Sequence, residues 1–357
     1  MFVPLVEVTR GRIVESLHVG AVAVVDSRGR LIAAAGDPAW ATFLRSSAKP
    51  FQALPLVESG AAKAYGLDER ELAVACASHS GSPAHQEAVR SLQRKAGVQP
   101  EDLLCGTHPV GDRAEAERLT LAGQPPTALH HNCSGKHSAM LALARYRWGG
   151  VTSPEGHAYI DPAGALQQDI LRAFAAMCAL DPAQVEVGID GCSAPTFAVP
   201  LERAAHAAAR LMDPAGLEPA RQQACASIAA AMMAHPEMVA GEGRFDTALM
   251  RAGRGRWIAK AGAEGYQLIA VRGGVAGRGA PALGIAIKVS DGDTTLRTKP
   301  LGESPPRAAP LVALEVLRQL RLLDENDLGV LAPFDRRQLA NWRGLVTGEI
   351  RPAFVLD

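Results

Sequence analysis

GAVAVVD (20–26) and RLIAAAG (30–36) decide how the chain is read. Each is an apolar run with small and β-branched residues, and the SRG between them is turn chemistry, so the pair predicts a β-hairpin. Working outward, the first 35 residues read as antiparallel strands. A second strand group comes late, in YQLIAV (266–271) and LGIAIKV (283–289), the latter followed by the turn DGD (291–293). Between the two groups apolar residues recur at helical spacing, in PAHQEAVRSLQRKAG (83–97), PAGALQQDILRAFAAMCAL (162–180), VPLERAAHAAARLM (199–212) and ARQQACASIAAAMMA (220–234). LVALEVLRQLRLL (311–323) adds a helix near the end. Strands at both ends around helices predict an α/β (α+β) architecture: one antiparallel sheet built from the chain's two extremities, with a helical region inserted. The sheet part is expected at about 1–80 and 240–357 and the helical part at about 81–239, within a single catalytic unit. No internal repeat stands out, and DPAG (213–216) and ESPPRAAP (303–310) read as loops.

Composition narrows the function. The 37 basic and 37 acidic residues balance, which argues against a nucleic-acid or anionic-membrane partner, because both select a basic surface. No apolar stretch reaches the length of a membrane-spanning helix. In MFVPLVEVTRGR, Glu7 interrupts the opening apolar residues and no basic segment precedes them, so a cytoplasmic protein is expected. The cysteines Cys76, Cys105, Cys133, Cys178, Cys192 and Cys225 are scattered. In a chain this long they suggest buried, catalytic or metal-binding thiols rather than a disulfide framework.

Three serine and lysine elements carry candidate chemistry. Ser46 and Lys49 form an S-x-x-K pair in RSSAKP (45–50). Residues three apart on a helical turn face one side, and a neutral lysine there can take the serine proton. Lys49 precedes Pro50, which biases it away from helix unless the proline lies in a first turn. Ser78 and Ser80 lie in CASHSG (76–81), directly after LAVACA (72–77), an apolar run that fits a buried strand. Lys260 closes the set in RWIAKAG (256–262). The order S-x-x-K, Ser-His-Ser, Lys-Ala-Gly loosely resembles the S-x-x-K, S-D-N, K-T-G series of penicillin-binding proteins and class A β-lactamases. It suggests a serine nucleophile beside two lysines, each ammonium depressing the pKa of the other. GGVAGRG (273–279) lacks the G-x-G-x-x-G spacing and reads as a strand–loop–strand connection.

A second constellation is His130-His131-Asn132-Cys133-Ser134-Gly135-Lys136-His137-Ser138, ahead of a helix in SAMLALARYRW (138–148). It is joined by Asp190 and Cys192 after the short strand VEVGI (185–189); two apart, they share a face if that strand continues. Two cysteines with lysine and histidine nearby could bind zinc, with His137 as third ligand, but the absence of a C-x-x-C pair leaves buried free cysteines as the plainer reading.

Taken together, RSSAKPFQALPLVESG (45–60), LAVACASHSG (72–81), HHNCSGKHSAMLA (130–142), GIDGCSAPTFAVPL (188–201), HPEMVAGEGRFDT (235–247), KAGAEG (260–265) and LGIAIKVSDGD (283–293) closely resemble the class 3 L-asparaginases, the Rhizobium-etli-type asparaginase II family. The resemblance spans nearly the whole chain. It implies a fold similar to serine β-lactamases and glutaminases, and a homodimer. It also implies two serine–lysine pairs, Ser46 with Lys49 and Ser78 with Lys260, and a zinc site of Cys133, Lys136 and Cys192 with Asp190 beside it. Lys136 then replaces His137 as the third ligand.

The expected reaction is hydrolysis of L-asparagine to L-aspartate and ammonia through an acyl-enzyme. Ser46 is the first candidate nucleophile with Lys49 as its base, and the Ser78–Lys260 pair tunes that base; Ser78 is the alternative nucleophile. Arg45 is placed to hold the α-carboxylate bidentately, Asp190 the α-ammonium or a zinc-bound group. Ser80 and His137 are expected to line the pocket, and zinc to shape it rather than catalyse. The competing readings are a serine amidohydrolase on another small amide, such as glutamine, a β-lactam or a peptide, and a zinc-dependent binding or sensor protein without turnover.

Overall fold

The computed structural model describes residues 1–293 and 308–357. Its strands are β1 (Val3–Arg10), β2 (Ile13–Asp26), β3 (Leu31–Ala35), β4 (Ala41–Phe43), β5 (Glu186–Ile189), β6 (Pro195–Pro200), β7 (Trp257–Gly262), β8 (Tyr266–Val271), β9 (Leu283–Val289), β10 (Arg337–Ala340) and β11 (Val346–Pro352). The main sheet has eight strands in the order β10-β11-β1-β2-β9-β8-β7, with β3 pairing to β2, and every pairing among the described residues is antiparallel. The first and last strands of the chain lie side by side, Val6 opposite Pro352. The fold is therefore mixed α/β, with one antiparallel sheet assembled from both ends of the sequence. The opening hairpin is β2–β3, and GGVAGRG connects β8 to β9.

Why the central strands read as unbroken apolar runs is now plain. All seven residues of β9 and all of β8 are buried, so both faces of the sheet are covered there. The helix Leu201–Met212 lies against β2, β8 and β9, and the helix Ala309–Gln319 against β1, β8, β9 and β11. The first approach is close: a Cβ on Gly284 would stand 1.7 Å from the Ala205 carbonyl oxygen, so only glycine admits the helix at that height.

The helices at Pro83–Ala96, Ala165–Met177, Leu201–Met212 and Pro219–Ala234 follow the apolar periodicity. LAVACA departs from its reading as a strand: Glu69–Ala75 is a helix. Asp68 and Glu71 form a capping box, Asp68 Oδ1 accepting the Glu71 amide at 3.0 Å and Glu71 Oε2 accepting the Asp68 amide at 2.8 Å. That reciprocal cap starts a helix, whereas a six-residue apolar run does not distinguish helix from strand. Short helices at 49–75 and at 309–331 fall within the span assigned to the sheet part. The small sheet β4-β6-β5 joins residues 41–43 to 186–200. ESPPRAAP lies outside the described residues as far as 307, and its Ala309 and Pro310 open a helix rather than a loop. No helix of the described residues is long and apolar enough to cross a membrane. All six cysteines are free and buried.

Candidate active site

Three separate elements deliver the serine–lysine chemistry. A 3-10 turn, Arg45–Ala48, runs directly into the helix Lys49–Gln52, and the Lys49 amide bonds the Ser46 carbonyl. Pro50 occupies the first turn, where proline costs no hydrogen bond. Lys49 adopts φ −58°, ψ −39°, a helical conformation that a following proline disfavours. Its amine is tied down instead: Lys49 Nζ donates to the Ala77 carbonyl at 2.6 Å, to Ser78 Oγ at 2.9 Å and to the Asn132 carbonyl at 3.4 Å. Ser78 follows the C-terminal end of the helix Glu69–Ala75, and its amide is held by the Val239 carbonyl at 2.9 Å. From β7, the edge strand of the sheet, Lys260 Nζ donates to the same Ser78 Oγ at 2.8 Å and to the Ala261 carbonyl at 2.7 Å.

Both amines therefore converge on Ser78. Ser46 is half-buried, and among the described residues its hydroxyl has no hydrogen-bonding partner. Lys49, Ser78 and Lys260 are 1%, 8% and 2% exposed, so two amines sit side by side away from water. Burial, with the positive charge of Lys49 acting in the same direction, brings the Lys260 amine down from its ordinary 10.5 to about 7, against the pull of Asp246. Near neutral pH that amine is divided between its two forms, and the neutral form can accept the Ser78 proton.

The elements are locked together by contacts that spacing did not foretell. Ser47 Oγ donates to the Lys260 carbonyl at 2.7 Å, and a Cβ on Gly262 would stand 2.3 Å from the Leu44 carbonyl, so β7 and the turn carrying Lys49 pack backbone to backbone. His79 Nδ1 accepts the Gly81 amide at 3.1 Å, which leaves Nε2 to donate to Ser134 Oγ at 2.9 Å. Burial holds this imidazole well below its ordinary range, so it is a neutral tie between the Ser78 turn and the loop bearing Cys133. Ser80 is buried against Gly241, whose φ of 122° and lack of a Cβ allow the approach; a Cβ there would lie 2.6 Å from Ser80 Oγ.

The second constellation also assembles. Lys136 Nζ lies 3.0 Å from Cys192 Sγ, and Cys133 stands directly before the helix Ser134–Trp148 that carries Lys136. A hydrogen bond from Cys192 holds the Cys133 thiol well below its usual range, while the same bond and burial raise Cys192. Burial draws the Lys136 amine down, but the thiols outweigh it and the net movement is upward. Among the described residues no group of three or more His, Cys, Asp or Glu side chains is placed to hold a metal ion. Two sulfurs and one amine remain, a donor set that suits a borderline dication such as zinc once the lysine is deprotonated. Asp190 and Cys192 do not share a strand face. β5 ends at Ile189, and residues 190–194 turn back into β6, with Ser193 at φ 69° and its amide on the Asp190 carbonyl.

Asp190 turns towards Arg45 instead. Arg45 donates to Asp190 Oδ1 through Nε at 2.9 Å and through its second nitrogen at 2.8 Å, and the Gly191 amide adds a third bond at 2.7 Å. The two side chains are 27% and 12% exposed, so the pair faces partly outward. Arg45 has φ 50°, a left-handed conformation unfavourable for a side-chain-bearing residue, and the ion pair helps to hold it there. His137 is fully buried, with Nδ1 on the Tyr159 hydroxyl at 2.8 Å; burial brings its imidazole down to about 4 although Cys192 pulls it upward.

Sequence reasoning passed over Ser47, His79 and Asn132, which act through backbone groups or second contacts. It also passed over Asp246, which accepts the Ala261 amide at 2.7 Å. All four lie within the quoted stretches: Ser47 in RSSAKPFQALPLVESG, His79 in LAVACASHSG, Asn132 in HHNCSGKHSAMLA and Asp246 in HPEMVAGEGRFDT.

A buried serine hydroxyl between two amines, just past a helix end and beside the edge strand of an antiparallel sheet, is chemically equipped to act as a nucleophile. A family model described as L-asparaginase II matches residues 6–352, and the chain belongs to that family. Comparison with curated proteins finds no match. Among solved structures the chain is similar to Mglu in its native form, at 16% identity over 87% of this chain and 66% of that one, with a TM-score of 0.36. It is also similar to Mglu in its glutamate form, at 16% identity over 85% and 61%, with a TM-score of 0.34. The chain thus spans slightly less than two thirds of those chains, and overlap this partial says nothing of substrate.

Proposed function

We propose that this chain hydrolyses the side-chain amide of L-asparagine, yielding L-aspartate and ammonia, through an acyl-enzyme on Ser78. The observation that carries the reading is the meeting of Lys260 and Lys49 on one hydroxyl, at 2.8 and 2.9 Å from Ser78 Oγ. Membership of the L-asparaginase II family supports an amidohydrolase acting on a small-molecule amide. Lys260, drawn to about 7, takes the Ser78 proton as Oγ attacks the amide carbon, and returns it to the departing nitrogen, which leaves as ammonia. Water then loses a proton to the same amine and cleaves the ester, releasing aspartate and restoring Ser78. Lys49 supports the developing negative charge from the other side of the hydroxyl.

The pairing read from spacing, Ser46 as nucleophile with Lys49 as base, is the second assignment. It is supported by the single turn that carries both residues. The partly exposed Arg45–Asp190 pair offers one charge of each sign to a zwitterionic substrate, Arg45 to the α-carboxylate and Asp190 to the α-ammonium. Ser80 and His137 complete the walls. Zinc held by Cys133, Lys136 and Cys192 would supply a Lewis-acid anchor beside the pocket. A homodimer, a β-lactamase-like description of the fold and a cytoplasmic location belong to the same proposal.

Steady-state ammonia release from asparagine, glutamine and a control amide tests it, in the wild-type chain and in folded Ser78→Ala and Ser46→Ala variants. Ser78→Ala is expected to lose turnover by about 10³-fold or more, and Ser46→Ala far less. Full activity in Ser78→Ala would remove Ser78 as nucleophile. Asparagine should be preferred over glutamine by roughly 1–3 kcal/mol, the usual worth of one methylene.

A further inference from the structure

We propose that Asp246 is a positioning residue of the serine–lysine centre, fixing the Lys260–Ala261 peptide so that the Lys260 amine meets Ser78 and balancing the charged form of that amine. The inference rests on Lys260 acting as the base of the proposed hydrolysis.

Asp246 stands in the first turn of the helix Phe245–Gly253 and is 3% exposed. Its Oδ2 accepts the Ala261 amide at 2.7 Å and its Oδ1 accepts the Gln267 side-chain amide at 2.9 Å. Ala261 and Gln267 are opposite each other across β7 and β8, so one carboxylate clamps both strands at that point. The Ala261 carbonyl in turn accepts Lys260 Nζ, which also reaches Ser78 Oγ. A line of contacts therefore runs from carboxylate to amide, carbonyl, amine and hydroxyl.

Each carboxylate oxygen accepts one of these two donors, a pattern that a neutral amide reproduces only if the Gln267 amide turns over to present its oxygen; a buried carboxylate is nonetheless costly unless charge offsets it. The charge thus answers to something nearby. The titratable and charged groups bearing on Lys260 are Asp246, Lys49 from the helix Lys49–Gln52, Arg244 just ahead of the Asp246 helix, and Cys133 before the helix Ser134–Trp148. Cys76, ending the helix Glu69–Ala75, is also within its field. Asp246 is the carboxylate among them, and after burial it bears most strongly on Lys260, opposing burial, Lys49 and Arg244. Without it the protonated amine is favoured less and the base works at lower pH.

The test compares wild type, Asp246→Asn and Asp246→Glu by the pH dependence of kcat/KM for asparagine. It adds an NMR titration of lysine-labelled protein, with the Lys260 signal assigned by its loss in Lys260→Met. In Asp246→Asn the acid limb and the Lys260 titration should both move to lower pH by roughly one pH unit; in Asp246→Glu, which keeps the charge, they should stay near wild type. A strand clamp without electrostatic effect would lower kcat and leave both titrations in place, which would overturn the proposal. If Asp246→Asn does not fold, Asp246→Ser provides the neutral variant. The NMR arm does not depend on turnover: a wild-type chain inactive on every amide would defeat the hydrolase reading, while the Lys260 titration would still decide the role of Asp246.

Discussion

Replacing Lys260 by methionine should cut turnover steeply and at the same time stabilise the protein near neutral pH, by an amount that fades as pH rises. The unfolded chain holds the Lys260 proton up to about 10.5, whereas the folded chain releases it near 7. Between those values the unfolded state binds more protons, so raising the pH stabilises the fold. The cost of the buried amine is fully present below about pH 7 and fades as pH approaches 10.5. Each pKa unit is worth about 1.36 kcal/mol, so from about pH 6.5 to about pH 9.5 the wild-type chain should gain about 3 kcal/mol that the variant does not. Methionine also leaves the Ala261 carbonyl without its Lys260 partner, a loss of about 1–3 kcal/mol that does not vary with pH. The pH-dependent part is therefore the quantity to read. Urea unfolding of both chains, followed by fluorescence of the buried Trp257, measures it. Lys260→Met should be favoured most strongly at the lower pH, with its advantage shrinking by about 3 kcal/mol at the higher, and ammonia release should fall by about 10²–10⁴-fold. A stability difference that stays flat across this range would refute the claim that burial depresses Lys260.

Two further outcomes follow from the packing around the site. Gly135→Ala should destabilise the fold by about 1–3 kcal/mol and lower turnover, because its Cβ would stand 2.1 Å from the Val74 carbonyl and push the Cys133–Lys136 segment off the helix that precedes Ser78; urea melts and ammonia release measure the two effects. Asp68→Ala should cost about 1 kcal/mol in the same melts by removing the cap of the helix Glu69–Ala75, and an unchanged melt would mean that tertiary packing alone holds that helix.

Strand and helix positions were legible wherever periodicity was long. The hairpin at 20–36 and the helices at 83–97 and 199–212 stand where the apolar pattern put them, because a residue's spacing decides which face it buries. LAVACA was misread because six apolar residues fit either period, and the deciding signal, Asp68 and Glu71, lay in the polar residues around it. Arg45 and Asp190 were each legible as charged residues near the candidate site. Their pairing was not, because 145 positions of chain separate them.

The amino-acid sequence by itself determined the family, the strands drawn from both chain ends, and the inventory of Ser46, Lys49, Ser78, Lys260, Cys133, Lys136 and Cys192. Only the tertiary structure shows which serine hydroxyl the two lysine amines contact. Spacing pairs Ser46 with Lys49 because they share a turn, yet a lysine amine stands several bonds from its backbone and finds its partner in space. Lys49 and Lys260 lie 29 and 182 positions from Ser78 and meet it because a turn, a helix end and an edge strand pack against one another. Burial at that junction then draws the Lys260 amine towards neutrality, a property of the surroundings that no local motif encodes.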